Sequence, residues 1–302
     1  MATFSPTDAA LEGFRIAREK PRMVLTWAAV YLVVTAIMAF LLITFAGDAL
    51  MALRAAEQSG DADPAMAFQF FSKVAPVSLL GLVVTTVFVA ASYRAILRPE
   101  DDRYAYLRFG GDELRLMLLA LIFVGLWMGV TFVTVMAVGI LAVAVGFMAG
   151  SGGQLGAGIV ALLGVLLSLA VLPALVWLWV RLSLAWPETF ATRRLHVFHS
   201  WRLTKGHFWR LLGAYVLAII LALIVMLLGL IIYAAVAAIL TGGDLTAVGQ
   251  VFEPDMSSTA AYFTPAMLIY TFFAGLLGPL QYLIMFAPGA VAYRQLAGGV
   301  EP

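Results

Sequence analysis

The sequence predicts an all-α integral membrane protein: six transmembrane helices paired as three helical hairpins, with cytoplasmic interfacial helices. Three observations predict it. Of 302 residues, 63% are hydrophobic and 12% charged, against roughly 45–50% and 25% in soluble domains. Six apolar runs hold no Asp, Glu, Lys, Arg or His, and each reaches the roughly 20 residues that cross a hydrocarbon core. The basic residues stand almost entirely in alternate connections, the asymmetry that orients spans in a bilayer.

The elements follow in order. The first 22 residues are polar, and the first apolar run, Met23–Ala46, has 24 residues. A signal-peptide core is about 7–15 residues and ends at small residues; this run is too long and its exit is a poor match, so it reads as an uncleaved span. The others are Val74–Tyr93, Leu116–Met148, Gly156–Val180, Leu211–Leu240 and Phe263–Ala292. Lipid offers no partner to the backbone, so these runs must be helices. They lack the alternation of membrane-barrel strands.

Residues 1–22, 94–115 and 181–210 carry four, five and six Lys and Arg; residues 47–73 carry two, and 149–155 and 241–262 none. Both termini are therefore expected in the cytoplasm. The outer loops Gly47–Lys73 and Thr241–Tyr262 are acidic. Short amphipathic stretches within them, such as residues 65–71, should lie along the interface.

Residues 1–302 read as a single membrane domain with three repeat units, 1–98, 99–186 and 187–302. Each opens with proline and an acid: Pro6 with Asp8, Pro99-Glu100, Pro187-Glu188. Proline suits a first helical turn and an acid suits the positive end of its dipole. An arginine follows (Arg15, Arg108, Arg202), then a second at the membrane entry (Arg22, Arg115, Arg210). The return helices end in Arg94, Arg181 and Arg294. Unit three carries extra residues before Arg202, which predicts the longest interfacial helix there. Gly125 and Gly129 form a small-xxx-small pair that predicts close helix packing. Pro173 and Pro279 are candidate kinks.

Catalytic chemistry finds little to stand on. There is no cysteine, and no nucleophile triad or phosphate loop can be assembled. Ion-coupled transport usually relies on ionisable residues within the spans; here only Thr131, Thr134, Ser168 and Gln281 stand out, and they read as interhelical glue. His196, His199 and His207 all fall in one basic stretch with no carboxylate after Glu188, which argues against a metal. No catalytic, cofactor or metal residue is expected, and the protein reads as no enzyme.

That basic stretch, Arg193–Gly213, is the most basic and aromatic in the chain. Arg193, Arg194, Trp201, Arg202, Lys205, Trp209 and Arg210 form a candidate anionic-headgroup or partner site. Basic residues near an anionic leaflet contribute about 1 kcal/mol each, and tryptophans settle at headgroup depth. Anchoring and orientation alone is the plainer reading of the same residues. Nucleic acid fits poorly, because the cations are tied to membrane entries.

The run Ser200-Trp201-Arg202-Leu203-Thr204-Lys205-Gly206-His207-Phe208-Trp209-Arg210 resembles the cytoplasmic entry to the fifth span in a broad group of bacterial six-span proteins. That group includes the membrane domain fused to some glycerophosphodiester phosphodiesterases. The spacing from Arg181 to Pro187-Glu188 fits as well. The resemblance implies a bacterial inner (plasma) membrane protein. The soluble phosphodiesterase domain has no counterpart in these residues, so hydrolase activity does not carry over. Three functions stay open: a scaffold or lipid-interacting protein of the envelope, a transporter or flippase for a lipid or small amphipath, and an accessory subunit of a complex. The expected partners are anionic membrane lipids, and a protein partner or a second copy of the chain.

Overall fold

The structure is a computed structural model that describes residues 5–298 except 62, 149–153, 244–248, 250–251 and 253. The regular structure of the described residues is helical. The helices are α1 (Pro6–Glu19), α2 (Pro21–Ser59), α3 (Pro64–Leu97), α4 (Gly111–Met148) and α5 (Gln154–Leu182). They continue with α6 (Ala185–Thr192), α7 (Ser200–Leu203), α8 (Phe208–Leu240), α9 (Thr259–Tyr262) and α10 (Pro265–Ala297). Among the described residues, five helices are long and apolar enough to cross a membrane: α2, α3, α4, α8 and α10.

Local chemistry sets the ends. Ser5 caps α1 by accepting from the Asp8 N–H, with Pro6 in the first turn. Asp63 accepts from the Ala65 N–H at 2.9 Å to start α3, and Thr264 accepts from the Met267 N–H to start α10. These oxygens satisfy donors that have no partner within the helix. Gly60, at φ 80°, closes α2 in the left-handed conformation that glycine adopts without strain.

Several helices outrun their apolar runs. α2 has 39 residues, about 58 Å at 1.5 Å per residue, against a core of about 30 Å. It carries Asp48, Arg54 and Glu57, assigned above to a loop. Residues 65–71 are not a separate interfacial segment: they are the opening turns of α3, with Phe68 and Phe71 exposed.

The hub is α10. It packs against α1, α2, α3 and α8, and its buried positions run from Ala266 to Ala292. Glycines set these approaches. A Cβ on Gly13 of α1 would lie 2.7 Å from the Leu283 carbonyl oxygen, and one on Gly275 would lie 2.8 Å from Leu32 of α2. Gly278 faces the Tyr31 ring just as closely. Small residues at these crossings bring backbones together where no hydrophobic drive operates between helices. Gly125 and Gly129, by contrast, face open space. α10 stays one helix through Pro279 and Pro288, as α3 does through Pro76 and α5 through Pro173.

The second pair is peripheral. α4 touches α3, α5 and α6, while α5 touches α7 and α8. Large apolar side chains such as Met128, Phe132 and Ile140 on α4, and Leu228 and Ile231 on α8, are exposed. Water would not tolerate such a contiguous surface, but a bilayer covers it. The side chain of Ser168 lies outside the described residues. Thr134 donates to the Val130 carbonyl of its own helix, so it bonds within a helix instead of between helices.

The helices expected at the interface differ from one sequence unit to the next. α1 is the longest at 14 residues and buries Ala9, Ala10, Gly13 and Ile16 on one face. In unit two the equivalent residues hold a four-residue 3-10 turn, Arg103–Tyr106. In unit three the expected longest helix is instead two short ones, of 8 and 4 residues. The extra residues form the loop between them, opened by Arg193 at φ 56°.

A candidate functional site at the basic end

Two basic connections meet at one end of the bundle. In the first, residues 94–115, Arg94 is fully buried. Its guanidinium donates to the equally buried Glu113 carboxylate and to the Tyr106 carbonyl at 2.7 Å. The Phe190 ring lies 5.6 Å from it. Burying a charge is costly unless it is paired and hydrogen-bonded, and the connection is built around that need. Tyr104, Ala105 and Tyr106 all take positive φ. The turn they make sends the Ala105 carbonyl to the Trp27 indole N–H at 2.6 Å and the Tyr106 hydroxyl to the Lys20 ammonium at 2.6 Å.

Arg98, Arg108 and Arg115 are also paired. Arg98 reaches Asp112 at 3.0 Å and donates to the Phe190 carbonyl at 2.8 Å. Arg115 meets Asp112 at 3.0 Å, and Arg108 meets Asp101 at 2.5 Å. Arg294, from the end of α10, lies 3.7 Å from Glu12 and donates to the Ile96 carbonyl.

The second connection, residues 181–210, uses its charges differently. Among the described residues none of Arg193, Arg194, Arg202, Lys205 or Arg210 has a carboxylate partner, and all five are exposed. Trp209 is 78% exposed beside Arg210. Gly206, at φ 82°, turns the chain from α7 into α8, which presents Trp209 and Arg210 on the first turn of α8. The seven predicted residues do not form one pocket. Arg193 lines a recess of about 240 Å³ at the start of α4 together with Arg108, Asp112, Glu113 and Arg115. Trp201 is a packing residue, edge-on to Trp177 at 5.0 Å and 6.0 Å from the Arg181 guanidinium.

Two features emerge that the sequence reading discounted or did not locate. One is a cluster of Glu188, His196 and His199, whose candidate ligand atoms lie within 4.8 Å of one another. No carboxylate follows Glu188 in sequence, but α6 and the loop after it fold the histidines back onto Glu188 itself. The other is a cavity of about 380 Å³ between α4 on one side and α8 and α10 on the other. Tyr93, Phe123, Trp127, Trp179, Trp186 and Tyr215 supply most of its aromatic wall. Phe123 and Trp186 stack across it with ring centroids 5.9 Å apart.

Comparison with protein-family models, with curated proteins and with solved structures returns no match.

Proposed function

We propose that the protein is a non-enzymatic six-span protein of the bacterial inner membrane whose basic rim engages anionic lipid headgroups. In this reading α5 is the sixth span, and the pairs α2–α3, α4–α5 and α8–α10 are its hairpins, with both termini cytoplasmic. The counts of Lys and Arg along the chain support the orientation. The resemblance of the Ser200–Arg210 run supports the bacterial location. The observation that carries the function is the set of five exposed cations that have no carboxylate partner among the described residues, interleaved with the exposed Trp209. Free cations can meet a phosphate headgroup without first breaking an ion pair, and an exposed indole fits headgroup depth.

The test is titration of short-chain phosphatidylglycerol against phosphatidylcholine, read as bound lipid by native mass spectrometry. The parent should bind the anionic lipid selectively, and a variant carrying Arg202→Ala, Lys205→Ala and Arg210→Ala should lose that selectivity. Equal binding of both lipids by the parent refutes the proposal. Since the chain has no cysteine, single cysteines placed in each connection report topology. Labelling from outside at residues 1–22 would contradict the orientation.

A second reading, an amphipath carrier, is favoured by the 380 Å³ cavity, whose volume falls in the range of small-molecule sites. Its aromatic wall suits an acyl chain more than a hydrated solute. Ala218→Trp should fill it and abolish photocrosslinking by a diazirine lipid; unchanged crosslinking removes this reading.

A further inference from the structure

The geometry points to a divalent transition-metal site of the Zn²⁺ type at Glu188, His196 and His199, which clamps the first turn of α6 to the loop that leads into α7. Two imidazoles and one carboxylate are a donor set that zinc takes, with a fourth position left for water. The three ligand atoms lie within 4.8 Å of one another. Bonds of about 2.0–2.2 Å need them closer still, near 3.5 Å; His199 already contacts Glu188, so the approach that remains is that of the His196 ring, carried on the loop between α6 and α7.

Glu188 distinguishes this cluster from a surface group of acids. Its side chain is 3% exposed. One carboxylate oxygen contacts the His199 Nδ1, and the other is buried with no hydrogen-bond partner. A buried oxygen left without a partner is costly, and a metal would satisfy it. The histidines are held from behind. The Thr189 hydroxyl accepts from the His196 N–H at 3.1 Å, which fixes that residue against the one following Glu188. Ser200, next to His199, donates to the Arg181 carbonyl at 3.3 Å. Such outer contacts orient metal ligands. Arg193 and Arg194, the charges nearest in sequence, are exposed and screened by solvent and salt.

A plain His199–Glu188 ion pair is the competing account, and His196 separates the two. Its ring makes no hydrogen bond to Glu188; it sits 5.3 Å from the His199 ring. The full-length protein, purified in detergent through a tag without histidine and stripped with chelator, would be titrated with Zn²⁺ and, separately, Co²⁺. One ion per chain should bind, with the visible spectrum of four-coordinate Co²⁺ and a Zn²⁺-dependent rise in Tm. His196→Ala should weaken binding at least tenfold while leaving the metal-free Tm unchanged; His207→Ala should leave binding as in the parent. X-ray absorption should count two imidazoles. Absence of Zn²⁺ binding in the parent, or equal binding by His196→Ala, overturns the proposal. Because the readout is metal binding, its failure is independent of the lipid reading.

Discussion

The connections 94–115 and 181–210 carry five and six basic residues, yet four of the first set are held in ion pairs while five of the second face out without one among the described residues. The difference lies in the acids. Asp101, Asp112 and Glu113 accompany the first set and capture Arg108, Arg98, Arg115 and Arg94. From 189 to 243 the sequence has no Asp or Glu, so the second set has nothing to pair with after Glu188, which His199 occupies. Charge count is thus a poor guide to role. The supply of counter-charge within a connection decides whether arginines build the fold or stay available to a ligand.

The largest effect should come from breaking the paired set. Arg94→Met would strand Glu113 in a buried site, and losing one partner of such a pair costs about 3–5 kcal/mol. Thermal unfolding in detergent should register it as a large drop in Tm or a loss of folded yield. The double variant Arg94→Met, Glu113→Leu should recover much of the loss, because an apolar pair leaves no stranded charge.

Next comes the hub. Gly13→Val would push a side chain against the α10 backbone at Leu283, with an overpacking cost of about 1–3 kcal/mol. Gly125→Val, facing open space, should leave the Tm of the isolated chain unchanged. The same substitution lowering a measured dimer fraction would identify the α4 face as a contact between copies.

The outward set should give the reverse signature. Arg202→Ala, Lys205→Ala and Arg210→Ala together should shift stability by less than about 0.5 kcal/mol per site. They should weaken anionic lipid binding by about 3 kcal/mol, at roughly 1 kcal/mol per cation. Smallest of all is Glu19→Ala. Its contact with Arg15 is exposed on both sides, and such pairs contribute about 0–1 kcal/mol.

Much of the architecture was legible. Apolar runs free of ionisable residues located the five helices long and apolar enough to cross a membrane, and Pro6 with Asp8 marked the start of α1. The helix ends beyond the apolar runs were not legible. Hydropathy reports where lipid is tolerated, whereas α2 continues to Ser59 because nothing before Gly60 stops a helix. The glycines that set the packing within the chain were not legible. Gly125 and Gly129 have the spacing, but Gly13, Gly275 and Gly278 have the neighbours, and spacing cannot say which face a partner covers. The basic stretch was found from composition alone. Its division into free cations, a packing Trp201 and a His–Glu cluster depends on the loop opened by Arg193, whose positive φ no residue pattern announced.

The most direct test sets the two connections against each other in one measurement: anionic lipid retained on purification, read by native mass spectrometry. The triple variant at Arg202, Lys205 and Arg210 would be compared with Arg108→Ala, Arg115→Ala. If unpaired charge makes the site, the first variant loses the lipid and keeps its Tm, and the second keeps the lipid. Equal loss from both would mean that basic charge acts in bulk, and would contradict the distinction between paired and outward cations.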